Sequence, residues 1–473
     1  MRAVATKTVA IRAGAICGAA AILTMLAYEV AHGTRSAFAL GLAVSLFIPL
    51  CYVAIERPLV FPFGLYALLI PLDDILSLGK IGTINKLIGI LAFAAVLFGL
   101  LRRGQFVKPS SGVIAWMAVA VWIGLSGFWA IDQHAWIPAY LTFIQNFLLY
   151  ALVAMTISTI ADLEAISSCV VIGGFLACAV GLWPYLHGQR LDGRLVLPGP
   201  NPYDPPDPNH FAAALLLPFA VLLAASLGTR KIVPLLANLG GLALLVITIV
   251  LTGSRAAMVS VLVLSLYTLV RGRRSLFTGA AMVVAAAAIL PFAGWIQQRW
   301  STALSMGGAG RTDIWHVAML AFGNYWLIGA GFASFPAVFN QEVLHVNLFR
   351  YAGWSKGPHD MIISNAVELG VIGLLLVVAE FVMVFRDLSV PRIGGFPDDL
   401  RVALQGAVLA IFLDGLFLDI TNRKYLWLLF IMVALLRSTI LNAAVTEQRR
   451  RTACAAPSFP TPAPTSEPRR SLV

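Results

Sequence analysis

Apolar residues gather along the chain in long unbroken runs, and polar residues are confined to the intervals between them. Crossing a bilayer takes about 20 apolar residues. Runs of that order fall at 12–30, 36–55, 59–76, 85–101, 112–130, 138–157, 164–185, 209–228, 232–252, 255–271, 275–294, 362–386, 401–419 and 425–442. They predict an all-α polytopic integral membrane protein with about 12–14 transmembrane helices. The run at 59–76 is the weakest, because it holds Pro62 and Pro71 and ends on Asp73 and Asp74.

One interval breaks the pattern. From Trp295 to Met361 the chain carries Arg299, Arg311, Asp313, His316, His345, Arg350, Lys356, His359 and Asp360. At roughly 65 residues it is too long for a connector, and loops of that size usually bind or catalyse something. Inside it a short helix is expected from Arg311. Its apolar positions Ile314, Trp315, Ala318, Met319 and Phe322 lie at helical spacing with Gly323-Asn324 as the stop, and being too short to span it should lie along the interface. The chain thus divides into N-terminal helices (1–110), a helical core (111–294), the large loop (295–361), C-terminal helices (362–445) and a basic, disordered tail (446–473).

Composition agrees: 59% of the 473 residues are hydrophobic and 12% charged, against about a quarter charged in soluble chains. The net charge of +11 could suggest nucleic acid. In a membrane protein, cytoplasmic Lys and Arg that set orientation explain it better. With the N-terminus inside, Arg57, Arg102, Arg103, Lys108, Lys231, Arg271 and Arg386 fall on the cytoplasmic side. The tail is then also cytoplasmic, and the long loops lie outside. The first run has a basic start but no A-x-A cleavage site, so it reads as a retained span. The five cysteines form no CxxC, and no metal-ligand spacing occurs, so no metal is expected.

Three outer-face segments share a construction. Asp207-Pro208-Asn209, Thr252-Gly253-Ser254-Arg255 and Gly310-Arg311-Thr312-Asp313 each read as a helix start, with an arginine in place or, for the first, Arg190 or Arg194 nearby. Helix N-termini attract anions and guanidinium pairs bidentately with phosphate oxygens. A single arginine of this kind is more often a snorkelling surface group. Three on one face point to a multi-point diphosphate site. His359, just before a span on the same side, is placed to take a proton near neutral pH. Asp360 is a candidate to orient it, with His210 and His316 as weaker alternatives. Glu368 and Asp414 are acids inside spans, where acids are costly and often functional.

The ordered set of motifs resembles the O-antigen ligase and Wzy-type polysaccharide polymerase superfamily. It comprises Leu125-Ser126-x-x-Trp129-Ala130, Asp207-Pro208-Asn209, Thr252-Gly253-Ser254-Arg255-Ala256, Gly310-Arg311-x-x-x-Trp315, Gly329-x-Gly331, Pro358-His359 and Glu368-Leu369-Gly370-x-x-Gly373. The resemblance runs from about residue 110 to 390. It implies a GT-C-like helical glycosyltransferase with a large periplasmic loop, in the bacterial inner membrane. The substrate would be an undecaprenyl-diphosphate-linked glycan and the acceptor a glycan or lipid A core, with no cofactor, metal or nucleic acid. By the same resemblance His359, Arg255 and Arg311 are catalytic. Arg194 or Arg190, Asn209, Ser254, Asp360 and Glu368 contact diphosphate or glycan. Arg194 is preferred to Arg190 because it is closer to the motif, from which a proline-rich insertion at 198–206 separates both. The sequence departs from the family at Asp360, where Asn is usual. The loop is expected to act as a lid over a site built by the helices. The alternatives are a lipid-linked oligosaccharide transporter or flippase, and a protein O-oligosaccharyltransferase.

Overall fold

The computed structural model describes residues 50–77, 82–199, 206–229, 231–272, 290–305, 311–346 and 357–455, with isolated positions 279, 283, 348 and 353. These residues form a helical bundle. In order the helices are α1 (Phe63–Leu69), α2 (Ile84–Arg103), α3 (Ser111–Ser126), α4 (Gln133–Ala154), α5 (Ile160–Leu186), α6 (Pro208–Ala214), α7 (Leu216–Gly228), α8 (Ile232–Leu251) and α9 (Arg255–Arg271). There follow α10 (Ala293–Ser305), α11 (Arg311–Tyr325), α12 (Phe335–Glu342), α13 (Met361–Asp387), α14 (Phe396–Gly415) and α15 (Lys424–Ala455). Among the described residues seven helices, counting α6 and α7 as one, are long and apolar enough to cross a membrane. The chain is a polytopic all-helical membrane protein.

Polar side chains mark where helices start. Thr83, Ser110, Asp132, Thr159, Asp207, Ser254 and Asp360 each cap the helix that follows, accepting a first-turn N–H. Of the spans among the described residues, the α6–α7 pair is the most buried. Beside it, Trp116 lies 4.5 Å from Trp427 and 5.5 Å from Phe143, ring centre to ring centre, making an aromatic core. Close helix approaches use glycine: a Cβ on Gly173 would stand 2.1 Å from the Leu68 carbonyl oxygen.

Three expectations need correction. The run at 59–76 is no continuous span: α1 has seven residues and a 3-10 turn, Ile70–Ile75, follows, as Pro62 and Pro71 dictate. Loop helix α11 ends at Tyr325 rather than at Gly323-Asn324. It buries Ile314, Val317, Ala318 and Ala321 where it packs on α12 and α13, and leaves Met319 60% exposed on the opposite face. Helix α15 runs to Ala455, past the boundary expected near Thr446. The runs at 12–30 and most of 36–55 and 275–294, most of the insertion at 198–206, and Arg350 and Lys356 lie outside the described residues.

Helix α13 is broken at Gly370, whose φ of 68° leaves the helical region. The break frees backbone groups within the apolar bundle, and the large loop meets them. Ala330 and Gly331 N–H donate to the Val367 and Glu368 carbonyls at 2.9 and 2.8 Å, and Val371 N–H donates to the Trp326 carbonyl at 2.8 Å. Glu368 Oε1 accepts the Phe335 N–H, holding the start of α12. Ser126 Oγ accepts the Phe332 N–H, Ile131 N–H donates to the Ala330 carbonyl, and a Cβ on Gly331 would strike Ala130. Three sequence motifs therefore meet in one joint between loop and bundle.

That joint should tolerate no side chain at its glycines. Gly370→Ala, with a positive φ and a Cβ placed 2.3 Å from the Leu327 carbonyl oxygen, should cost at least about 1–3 kcal/mol. Gly240→Ala, helical with open space around it, should be neutral or stabilising by less than about 1 kcal/mol. The unfolding midpoints of the detergent-solubilised variants measure both; equal midpoints would show that the break bears no strain.

Candidate active site

At the end of the bundle where α6, α9, α13 and α15 begin, polar side chains converge. The first part is set by a tight turn. Asp192 and Gly193 have φ values of 50° and 73°, and Leu191 and Arg194 exchange backbone hydrogen bonds across them. This is the Asp-Gly pattern of a hairpin turn with both central residues left-handed. It carries Arg194 to the start of α6. There Nε donates to the Thr252 carbonyl at 2.6 Å and an Nη donates to Asn209 Oδ1 at 2.8 Å. Asn209 is fixed in turn by Asp207, whose Oδ1 accepts both its backbone and its side-chain N–H at 2.8 Å. Arg190 is not part of this group: it is exposed, with its guanidinium 4.3 Å from the Tyr185 ring centre.

The second part starts at Ser254, buried, which caps α9 through the Ala257 N–H and puts Arg255 in the first turn. The caps bear on the expectation of open helix ends. Asp207, Ser254 and Asp360 each already engage one first-turn N–H. What these ends offer an incoming anion is therefore fewer free amides, set beside guanidinium groups.

The third part comes from the loop. Arg311 opens α11 and donates to the Phe417 carbonyl at 3.0 Å, while Trp315 Nε1 donates to the Pro358 carbonyl at 3.0 Å. These two bonds tie the loop helix to both sides of the site. Burial draws the Arg311 guanidinium below its ordinary value, and the nearby Asp207, Asp360 and Asp414 carboxylates oppose that. His359 has a φ of 54°, a left-handed conformation uncommon outside glycine. It lies within electrostatic reach of His210, whose Nδ1 shares a 2.9 Å hydrogen bond with Tyr425 Oη. Asp360 is turned into the helix as its cap, with Oδ1 accepting the Ile363 N–H at 2.9 Å. The structure gives it that bond and a charge facing Arg311.

Two groups lie elsewhere. Glu368 sits in the joint at the Gly370 break, bonded to the Phe335 N–H. His345 pairs with Glu342 on α12 at 3.2 Å, exposed. Sequence reasoning passed over the partners that hold the site end together. Lys424 Nζ lies 2.6 Å from Asp73 Oδ1 and 2.9 Å from Thr83 Oγ1, and Arg423 lies 3.7 Å from Asp74. These pairs staple the start of α15 to the 3-10 turn. The visible signal was the coincidence of Asp73-Asp74 and Arg423-Lys424 in intervals assigned to one face.

The fold and these contacts define a class: a helical membrane protein that gathers arginines, a histidine and carboxylates at one end of its bundle. Residues 240–378 match the family model for O-antigen ligase, within the stretch where the ordered motifs resemble that superfamily. The matched segment contains Thr252 to Arg255, Arg311, His359 and the Gly370 break, and leaves Arg194 and Asn209 outside it. No curated protein matches the chain.

The buried Asp360 carboxyl gives a pH test. Burial raises it above the ordinary carboxylate range and Asp419 adds to this, against the lowering effect of the Ile363 and Ile362 N–H groups and Arg311. A raised value means that protonation favours the folded state. The contribution is complete below the unfolded value and is lost as pH rises through the folded one. Asp360→Asn keeps a good cap and carries no charge. Its unfolding midpoint should match wild type at acidic pH and exceed it at neutral pH. A constant offset across pH would remove Asp360 from the titrating set.

Proposed function

We propose that this protein is a membrane glycosyltransferase of the ligase or polymerase kind. It transfers a glycan from an undecaprenyl-diphosphate carrier to an acceptor hydroxyl at the periplasmic face of the bacterial inner membrane. The observation that carries this reading is the cationic cluster within and beside the O-antigen ligase domain. Arg194 is held on Asn209 and Thr252, Arg255 follows the Ser254 cap, and Arg311 is held on the Phe417 carbonyl. The orientation supports it: Arg57, Arg102 and Arg437 pair with acids at the far end of the bundle, the end expected to be cytoplasmic.

In this reading the acceptor oxygen forms a bond to the anomeric carbon as the bond from that carbon to the carrier phosphate oxygen breaks. The electron pair leaves with the diphosphate, where Arg194, Arg255 and Arg311 balance the charge that develops. His359 takes the hydroxyl proton. Ser254 and Asn209 position the arginines rather than touch the reacting atoms, and Asp360 sets the start of α13 under His359.

The transporter reading has a broken helix in its favour, since transporters place discontinuous helices at their binding sites. Here the groups freed at Gly370 are already bonded to the protein's own loop, so the break calls for no bound solute.

Arg255→Ala and Arg311→Ala should each lower glycan transfer by at least about a hundredfold, as loss of one oxyanion-type donor does, with the protein still inserted in membrane vesicles. Near wild-type product from both would sink the diphosphate assignment. His359→Ala should lower the rate and abolish the dependence on a base near neutral pH. An unchanged pH profile in a surviving activity would assign the proton to another group. Product from a deletion strain separates the subtypes: shortened chains mark a polymerase, and full-length polymer retained on the carrier marks a ligase.

A further inference from the structure

At the end of the bundle opposite the candidate site, the end expected to be cytoplasmic, a groove of about 570 Å³ opens between α9 and α13. Val263, Leu266, Tyr267, Val270 and Arg271 of α9 line it together with Phe385 of α13. Helix α14 packs on both. Tyr267 links the three helices: its Oη donates to Gln405 Oε1 of α14 at 3.2 Å, and its ring meets Phe385 edge-on with centres 6.4 Å apart. Val270 is 78% exposed and Leu266 43%, so the groove faces outward from the bundle.

Three arginines stand at its mouth. Arg271 lies one turn beyond Tyr267 on the same face of α9, and Arg386, exposed, follows Phe385 on α13. Arg401 lies one turn before Gln405, on the face of α14 that meets Tyr267, and its Nε is buried without a hydrogen-bond partner among the described residues. Elsewhere at this end the arginines are matched: Arg57, Arg102 and Arg437 pair with Asp162, Glu56 and Asp387. No acid pairs with Arg271, Arg386 or Arg401 among the described residues. The neighbouring acids are turned away from them. Asp387 accepts from Ser111 Oγ and the Gly112 N–H, Asp398 accepts from the Ile393 N–H, and Asp399 lies beside Gly228 of α7. Positive charge that the protein does not balance therefore gathers where an apolar groove ends.

Such a site calls for a ligand with an anionic head and an apolar tail. Guanidinium groups match phosphate oxygens bidentately, and basic pockets between membrane helices on the cytoplasmic side suit anionic lipid headgroups. A free phosphate ion would leave the apolar wall unused. We infer that the groove binds an anionic phospholipid of the cytoplasmic leaflet, with its phosphate at Arg271, Arg386 and Arg401 and an acyl chain along Leu266 and Val263. The lipid then joins α9 and α13 at the ends opposite Arg255 and His359.

The test uses the full-length protein in detergent micelles, with binding read by native mass spectrometry. The probes are phosphatidylglycerol, phosphatidylcholine with the same acyl chains, and inorganic phosphate. Phosphatidylglycerol should be retained in preference to phosphatidylcholine. Arg271→Gln and Arg386→Gln should each weaken its binding about fivefold, the effect of one basic residue on an anionic lipid. Both positions are exposed, so these variants remain informative should Arg401→Gln fold poorly. Leu266→Trp, which fills the groove from its exposed wall, should weaken phosphatidylglycerol as well. Arg102→Gln, which removes an arginine already paired with Glu56, should leave binding within about twofold. Equal retention of the two lipids, or phosphatidylglycerol binding indifferent to Arg271 and Arg386, overturns the inference. So does binding that ignores Leu266→Trp and yields to inorganic phosphate at equal concentration, the behaviour of an ion site without a lipid groove.

Discussion

A backbone N–H or carbonyl inside a bilayer has no water to bond, so every interruption of a helix must be answered by protein. The break at Gly370 is where this constraint organises the molecule. The Val367 and Glu368 carbonyls and the Val371 N–H would be orphaned there, and the segment from Trp326 to Gly331 supplies their partners. The Trp122 indole N–H takes the next carbonyl, that of Leu369, at 3.0 Å. The glycines follow from this: Gly329 would set a Cβ 2.2 Å from the Glu368 carbonyl oxygen. A loop expected to act as a lid is, over this stretch, bonded along α13 and moves with it. The joint also fixes the direction in which α11 carries Arg311 back to the site.

Charge is the second constraint. Arg194 is satisfied as a donor by two neutral acceptors, the Thr252 carbonyl and Asn209 Oδ1. Those acceptors fix the geometry of the guanidinium, and at Arg311 the carboxylates of Asp207, Asp360 and Asp414 supply the opposing charge. Asp414 is fully buried, its two oxygens have no hydrogen-bond partner among the described residues, and it faces Arg311 electrostatically. Side chains held in this way before any anion arrives need little reorganisation when one does, which is the condition under which fixed dipoles and cations act most strongly.

Much of this was legible in the sequence because two signals are local. Hydrophobic runs give the spans, and a polar residue ahead of a run gives its cap, as at Asp132, Thr159, Ser254 and Asp360. The motifs were legible too, but not their division of labour. Leu125 to Ala130, Gly329-x-Gly331 and Glu368 to Gly373 look like site motifs when read in order. In space they build the joint, and Glu368 is spent on the Phe335 N–H. Nothing local distinguishes a glutamate that caps a neighbouring helix from one that meets substrate. The choice between Arg190 and Arg194 likewise needs the turn at Asp192-Gly193, a two-residue signal easily lost in a loop.

The placement of α6 carries the argument furthest. It is seven residues long and belongs to the most buried of the spans among the described residues. Adjacent positions on a helix point about 100° apart, so Asn209 and His210 cannot serve the same side. Asn209 accepts from the Arg194 guanidinium, and His210 shares a hydrogen bond with Tyr425. His359 holds a backbone conformation that few residues adopt. Holding a histidine at a φ of 54° costs free energy. Such a cost persists where its surroundings hold it in place, and here the Trp315 bond to the Pro358 carbonyl on one side and the Asp360 cap on the other do so. The histidine is therefore positioned by the same two elements, α11 and α13, that the loop joint locks together.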